Sequence, residues 1–161
     1  MKLANCLAGA ALACACTIAP AQQANSDRVV HVATNDPEMT AAIAHVQKTL
    51  PGFLTLASNP PVGTEGYKLK VAVTDANGTE HFWVAPFQAV GGVFRGAINN
   101  TPQVVRNVKL GQVIEFEQAH ISDWGYVRDG KQIGSFTVCV LFSRMPKAVA
   151  DGYRREHGFT C

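Results

Sequence analysis

The stretch that decides the fold is ISDWGYVRDGKQIGSFTVCV, residues 121–140. It predicts a β-hairpin, because Asp129-Gly130 separates two runs rich in aromatic and β-branched residues. A two-residue turn puts Trp124 and Tyr126 on one face, in need of a cover such as a helix, with Asp123 at the edge of the other, apolar face. A three-residue loop brings both aromatics onto the core face and turns Asp123 outward. Because tryptophan is usually well buried, we expect Trp124 to be mostly buried and Asp123 to be hydrogen-bonded near a rim.

The segment NDPEMTAAIAHVQKTL, residues 35–50, is the clearest helix in the sequence. Asn35 or Asp36 can cap its first turn, and Pro37 suits the first helical position. Apolar residues recur at helical spacing and form one stripe. Pro51-Gly52 then predicts an interruption, after which residues 53–56 add a further turn of helix.

After a loop rich in proline and glycine, the hydrophobic period changes from helical to strand-like at residue 67. Asn77-Gly78 indicates a hairpin, and several short strands follow. A second helix is predicted from Pro146 to Gly158. The sequence therefore predicts an α+β fold, in which an N-terminal and a C-terminal helix flank a curled antiparallel sheet of five or six strands that could be barrel-like.

The first 21 residues, MKLANCLAGAALACACTIAPA, have the pattern of a secretory signal peptide. Lys2 supplies a basic start, an apolar run follows, and Ala19-Pro20-Ala21 fits the small-x-small cleavage rule. The apolar run is shorter than the roughly 20 residues that a membrane-spanning helix needs. Lipidation at Cys14 is a less favoured alternative, because Ala11 stands where leucine is usual.

This signal divides the chain into a cleaved peptide at 1–21, a lead-in at 22–34 and a single globular domain at 35–161. We expect the mature protein to be periplasmic or secreted, with no transmembrane segment left after cleavage. The sequence has 14 basic and 12 acidic residues, and loss of Lys2 leaves a net charge of +1. It contains no basic block of the kind that neutralises phosphates, which argues against nucleic acid as a partner.

Five cysteines occur in the chain. Cys6, Cys14 and Cys16 leave with the signal, so Cys139 and Cys161 form an even pair in an exported protein. Such a pair predicts a disulfide, whose closed loop would contribute roughly 3 kcal/mol to stability. The alternative is a buried Cys139 and a free Cys161.

The blocks NDPEMTAAIA, LKVAV, EHFWVAPF, FRGAINNTP, VKLGQVIEF and ISDWGYVRDGKQIGSFTV occur in this order. Together they resemble the YegJ-like bacterial family, catalogued as domain of unknown function 2314. The resemblance covers about residues 35 to 142 and implies a single domain with an exported N-terminus. It implies no activity and no catalytic residues, although Trp83, Asn99, Asp123 and Trp124 lie in its characteristic blocks.

Standard catalytic and metal-binding motifs are absent from the mature sequence. Asp123 with His81 or His120 is a weak candidate for acid–base chemistry, which needs convergent imidazole and carboxylate groups. Structural roles such as backbone hydrogen bonding explain these residues more simply. Glu115 and Glu117 are expected on the solvated face of a strand. We therefore predict no metal site and no cofactor.

A binding role is the favoured function. Tryptophan, tyrosine, arginine and asparagine are concentrated in turn-rich segments, and an Asp–Arg pair beside aromatic rings can anchor a ligand or a partner protein. The first hypothesis is a non-enzymatic periplasmic module that binds a protein, peptide or envelope component. The alternative is a hydrolase that uses Asp123 with His81 or His120. The candidate binding residues are Trp83, Arg95, Asn99, Asp123, Trp124 and Tyr126.

Overall fold

The computed structural model describes residues 36–161, so the predicted signal peptide and lead-in lie outside the described residues. The helices are α1 (Pro37–Ser58), α2 (Phe136–Ser143) and α3 (Lys147–His157), and a short 3₁₀ helix spans Gln118–His120. The strands are β1 (Thr64–Asp75), β2 (Gly78–Val90), β3 (Val93–Ile98), β4 (Val113–Glu117), β5 (Ile121–Arg128) and β6 (Lys131–Gly134).

The six strands form one antiparallel sheet in the order β4-β3-β2-β1-β5-β6. The predicted α+β class, with a helix before the sheet and another at the end of the chain, is confirmed. The strands described in residues 36–161 form an open sheet rather than a closed barrel.

Helix α1 begins as predicted and runs further than predicted. The Asp36 carboxylate accepts hydrogen bonds from the backbone N–H groups of Glu38 (2.9 Å) and Met39 (3.0 Å), which satisfies donors that a helix start leaves free. The interruption expected at Pro51 is wrong, because the helix continues through it to Ser58. Burial of Phe53, only 2% exposed, offsets the cost of a proline inside a helix.

The β1–β2 turn lies one residue earlier than predicted. Asp75 pairs with Gly78, so Ala76 and Asn77 form the turn and Gly78 already belongs to β2. The Asp75 carboxylate accepts a hydrogen bond from the Asn77 backbone N–H at 2.7 Å, an arrangement that aspartate commonly adopts in turns.

The β5–β6 turn has two residues. Asp129 and Gly130 both have positive φ angles, 49° and 73°, as a type I′ hairpin turn requires, and Tyr126 lies opposite Ile133. Trp124 and Tyr126 are nevertheless core residues, since α1 supplies the cover that this register demands.

Residues 136–143 form helix α2, which corrects the prediction that the second hairpin strand runs on to Val140. Strand β6 ends at Gly134, and Ser135 has a φ of 60°. Thr, Val and Phe favour a strand by propensity. However, Asp123 accepts hydrogen bonds from the backbone N–H groups of Phe136 and Thr137, so a tertiary contact caps the helix.

One hydrophobic core lies between α1 and one face of the sheet. Helix α1 contributes Val46, Leu50 and Phe53, and the neighbouring strands contribute alternate residues such as Leu69 and Val71. The Phe53 ring stacks on Trp124 with centroids 4.9 Å apart. The residues between these core positions therefore lie on the opposite face of the sheet.

The C-terminal segment is tied to α2. Helix α3 ends at His157 and is followed by Gly158, whose φ is 74°. Phe159 then contacts Phe142 with ring centroids 5.1 Å apart. Cys139 and Cys161 form a disulfide with their Cα atoms 5.6 Å apart. The predicted cysteine pairing is thus confirmed.

Candidate functional site

The sheet face turned away from α1 carries a tryptophan beside two lysines. Lys68 and Lys70 alternate along β1 with core residues and so share this face, and Lys70 lies opposite Trp83 of β2. The lysine Nζ atoms lie 4.7 Å and 5.6 Å from the centroid of the Trp83 ring, within cation–π range. We call this half-buried group, Lys68, Lys70 and Trp83, the Trp83 face.

Both lysines of the Trp83 face are half-buried. Burial lowers the pKa of Lys68 and of Lys70, and the Asp123 carboxylate opposes this effect at each. Lys70 Nζ also donates a hydrogen bond to Thr137 Oγ1 at 3.2 Å, and that hydroxyl donates to Asp123 Oδ2 at 2.6 Å. The Thr137 hydroxyl therefore connects the ammonium group to the carboxylate.

Asp123 is 0% exposed. Its Oδ1 accepts from the backbone N–H groups of Trp124 (2.9 Å) and Phe136 (3.1 Å), and its Oδ2 from the N–H (2.8 Å) and hydroxyl (2.6 Å) of Thr137. Burial raises the pKa of the Asp123 carboxyl, although the Thr137 hydrogen bonds and the Lys70 ammonium act in the opposite direction. The hydrogen bonding was expected, whereas the rim position is corrected to an interior one.

The candidate histidines lie apart from the Asp123 contacts. His81 Nδ1 lies 2.8 Å from Ser122 Oγ, and that hydroxyl donates to the Lys70 carbonyl oxygen at 3.3 Å. Desolvation by the surrounding protein lowers the pKa of His81, and the positive charge of the Lys70 ammonium lowers it further. His120 is exposed in the 3₁₀ helix. Within residues 36–161, the Asp123 side chain accepts hydrogen bonds from Trp124, Phe136 and Thr137, and neither histidine is among these donors.

The two asparagines after β3 hold the backbone of Trp83. The Asn99 backbone N–H donates to the Trp83 carbonyl at 2.8 Å, and Asn100 Oδ1 accepts from the Trp83 N–H at 2.9 Å. Asn99 therefore acts through its main chain. Asn100, which was not among the candidate binding residues, contributes the side chain.

Arg95 and the two glutamates lie at the β4 edge of the sheet. Arg95 pairs in register with Glu115, and Arg95, Glu115 and Glu117 are all exposed. The glutamates thus lie on a solvated strand face, as predicted. Strands β2 and β1 separate β3 from β5, so the structure does not bring Arg95 next to Asp123.

Trp124 and Tyr126 lie on the core side of β5. They are 8% and 4% exposed, and Tyr126 stacks on Tyr67 with centroids 4.9 Å apart. Trp124 Nε1 donates to Thr49 Oγ1 of α1 at 3.1 Å. The predicted burial of Trp124 is confirmed, and the two side chains hold the hairpin against α1.

A polar cluster adjoins the Trp83 face where β5 passes β6. Lys68 Nζ donates to Gln132 Oε1 at 3.3 Å, and Gln132 Nε2 donates to the Tyr126 carbonyl at 3.1 Å. A Cβ on Gly125 would lie 2.8 Å from Ser135 Oγ, 3.1 Å from Gln132 Nε2 and 3.3 Å from Lys68 Cε. We call Lys68, Gln132 and Ser135 the Gly125 cluster, because only a glycine leaves them this space.

Sequence reasoning overlooked most of these polar residues. The alternation of Lys68 and Lys70 with Leu69 and Val71 was a usable signal, since period two places both lysines on one face. For Gln132 and Ser135 there was no comparable signal. They reach the site because β6 is short and the chain turns sharply at Ser135.

Within residues 36–161, no helix is long and apolar enough to cross a membrane. The same residues contain no group of three or more His, Cys, Asp or Glu side chains suited to hold a metal ion.

Comparison with known proteins places the fold in a bacterial family. A family model described as an uncharacterized protein conserved in bacteria, DUF2314, matches residues 36–161. The uncharacterized protein YegJ of Escherichia coli (strain K12) is 34% identical over 131 residues, which cover 81% of this chain and 84% of that protein.

A partial match links the chain to a larger protein. A putative ankyrin repeat protein of Neisseria meningitidis serogroup B is 31% identical over 78 residues, which cover 48% of this chain and 29% of that protein. No solved structure matches. Because the family model spans the whole described region, this chain belongs to the DUF2314 family of uncharacterized proteins conserved in bacteria.

Proposed function

We propose that this protein is a non-enzymatic binding module of the bacterial periplasm, which contacts a protein, peptide or envelope component through the Trp83 face. The observation that carries the proposal is the half-buried Trp83 ring beside two ammonium groups, on the sheet face opposite α1. Tryptophan is prominent among residues that dominate binding energy, and charges around it steer and select the partner.

The contacts of Asp123 favour this function over a hydrolase. A catalytic carboxylate must reach the reacting proton or the base that it orients. Both oxygens of Asp123 instead accept hydrogen bonds from Phe136, Thr137 and Trp124, and the carboxylate is fully buried. Its role is to hold the first turn of α2 beside β5.

The partial relative supports a protein partner. Its printed description is a putative ankyrin repeat protein, and ankyrin arrays form extended concave surfaces that bind other proteins. A segment similar to this chain thus occurs within a protein whose description suggests a binding role.

Periplasmic location rests on the N-terminal signal pattern and on the Cys139–Cys161 disulfide, a bond that persists in oxidising compartments. We expect protein recovered from a periplasmic fraction to have the mass of residues 22–161, measured by intact-protein mass spectrometry. An uncleaved chain found in the cytoplasm would remove this part of the proposal.

Site-specific photo-cross-linking in living cells tests the binding surface. A benzoylphenylalanine at the exposed position His81, on the same strand and face as Trp83, should give a discrete adduct. The same group at the exposed Arg155 of α3 should not. The adduct from position 81 should disappear in Trp83→Ala, provided that Trp124 fluorescence and the urea midpoint show a folded protein.

Lys68→Gln serves as a second variant if Trp83→Ala proves unstable. Identical adducts from positions 81 and 155, or an adduct that survives both substitutions, would show that the Trp83 face is not the contact surface.

A further inference from the structure

We infer that the Trp83 face and the adjoining Gly125 cluster form a carboxylate-binding site, which takes an aspartate or glutamate side chain of the partner. This inference rests on the proposed function and names the chemical group that is recognised. It assigns Lys68 and Lys70 as the charged contacts, Ser135 and Gln132 as neutral donors, and Trp83 as the apolar support.

The strongest indication is an unpaired hydroxyl. Ser135 is 0% exposed, and its Oγ is the one buried side-chain N or O atom within residues 36–161 that has no hydrogen-bond partner. A buried hydroxyl without a partner costs free energy. A ligand oxygen placed beside it would accept the missing hydrogen bond and remove that cost.

The surroundings of this hydroxyl are donors. Ser135 Oγ, Gln132 Nε2 and Lys68 Cε all lie within 3.3 Å of the point where a Gly125 Cβ would be, so the hydroxyl, the amide and the end of the lysine side chain converge. The Lys68 ammonium lies beside them and donates to Gln132 Oε1 at 3.3 Å. The ammonium of Lys70 lies on the same face, beside Trp83. Convergent hydroxyl, amide and ammonium donors suit an acceptor-only group such as an ionised carboxylate.

The local charge favours a monovalent anion. Lys68 and Lys70 bring two positive charges and the neighbouring Asp123 carboxylate brings one negative charge, which leaves one positive charge to balance. The pKa of His81, which lies next to Lys70, is lowered by desolvation and by the Lys70 ammonium, which disfavours a further positive charge there. One carboxylate matches this balance, whereas a phosphate dianion exceeds it. Within residues 36–161, none of the arginines belongs to this site, so the described residues lack the bidentate fork that phosphate recognition favours.

The test uses the two tryptophans as reporters on opposite faces of the sheet. In ¹⁵N-labelled protein, the indole N–H of Trp83 reports on the site, and that of Trp124, bonded to Thr49 in the core, is the internal control. The probes are the peptide acetyl-Gly-Glu-Gly-amide, its glutamine counterpart and inorganic phosphate. The glutamate peptide should shift the Trp83 resonance in a saturable way and leave the Trp124 resonance in place.

Single substitutions then separate the donors. Lys68→Gln and Lys70→Gln should each weaken binding of the glutamate peptide about tenfold, since each removes a charge-assisted contact. Ser135→Gly, which keeps the positive φ of 60° accessible, should weaken it about fivefold. Lys131 is an exposed lysine at the start of β6, and Lys131→Gln should leave binding unchanged.

Three results would overturn the carboxylate site: no saturable Trp83 shift with the glutamate peptide, an equal shift with the glutamine peptide, or tighter binding of phosphate. Loss of affinity in Lys131→Gln equal to that in Lys68→Gln would show a general charge effect and have the same meaning.

Failure here is distinguishable from failure of the proposed function. If the cross-link from position 81 persists while the titration is flat, the surface binds a partner but not through a carboxylate. If the cross-link is absent and the titration saturates, the site exists and its ligand is a small carboxylate rather than the proposed partner.

Discussion

Replacement of Asp123 tests how α2 is held in place. Asp123→Ala removes an acceptor from the backbone N–H groups of Phe136 and Thr137 at a fully buried position. Asp123→Asn keeps one oxygen but puts an N–H₂ where the other oxygen was, so that at least one backbone N–H loses its partner. The Thr137 hydroxyl can rotate and become an acceptor, and the backbone N–H cannot.

The expected costs follow from these lost partners. A buried donor left unpaired costs about 1–3 kcal/mol, and loss of a helix N-cap costs about 1 kcal/mol. Asp123→Ala should therefore lower the free energy of unfolding by about 4 kcal/mol. Asp123→Asn should lower it by about 2 kcal/mol, because removal of a buried charge partly offsets the lost hydrogen bonds.

The pH dependence of the Asp123→Asn effect has a definite sign. The pKa of native Asp123 is raised above the unfolded value of about 3.9, so the native state keeps this proton to higher pH. The stability gained from the proton is present below about pH 4 and lost as pH rises through the native pKa. Asp123→Asn should thus be most costly near pH 4 and less costly at pH 7.

Urea unfolding at several pH values, followed by Trp124 fluorescence in a Trp83→Phe background, measures both quantities. Asp129→Asn is the matched control, because Asp129 is an exposed turn residue with a positive φ that asparagine tolerates. A loss below 1 kcal/mol for Asp123→Ala would refute the assigned capping role. A cost of Asp123→Asn that grows with pH would refute the direction of the pKa shift.

Three further predictions use the same unfolding assay. Reduction of the Cys139–Cys161 disulfide, whose cysteines are 22 residues apart, should lower the free energy of unfolding by about 3 kcal/mol, and an unchanged urea midpoint would contradict this. Gly130→Ala and Gly134→Ala both place alanine at positive φ, which costs about 1–2 kcal/mol. Only at Gly134 would the new Cβ lie 2.4 Å from a backbone oxygen, so equal losses would contradict the packing. Because the pKa of Lys70 is lowered below its unfolded value, the native protein should gain stability as pH rises toward about 10, where unfolded lysines lose their protons. Lys70→Met should lack this gain as pH rises toward about 10.

Much of the fold could be predicted because local rules and tertiary packing agree. Asp36 and Pro37 marked the start of α1, and the Asp129-Gly130 turn was recognisable from its residue types. The error at residues 136–143 has a clear cause. Their propensity favours a strand, and their helical state depends on Asp123, a contact across the fold that no local pattern contains.

The candidate site was less predictable. Trp83 and Asp123 were named as candidates from the sequence, and the structure places both at the Trp83 face or beside it. Trp124 was also named as a candidate binding residue, but its burial, which the sequence predicted, puts it under α1. The donors Gln132 and Ser135 come together only through the exact end of β6 and the turn at Ser135. Side chains that converge through such irregular backbone have no periodic signature.

The strand order has a consequence for how the site is assembled. Strands β1 to β4 follow one another along the chain, as do β5 and β6, so each group can form from nearby segments. The β1–β5 pairing joins the two groups across a long loop. A separation of 52 residues lies between the hydrogen-bonded Lys70 and Ser122. Closing such a loop costs entropy before its contacts form. Lys68, Lys70 and Trp83 belong to the first group, and Asp123 and Ser135 to the second. The site therefore comes into existence only when the two halves dock, and a ligand bound across this junction would hold them together.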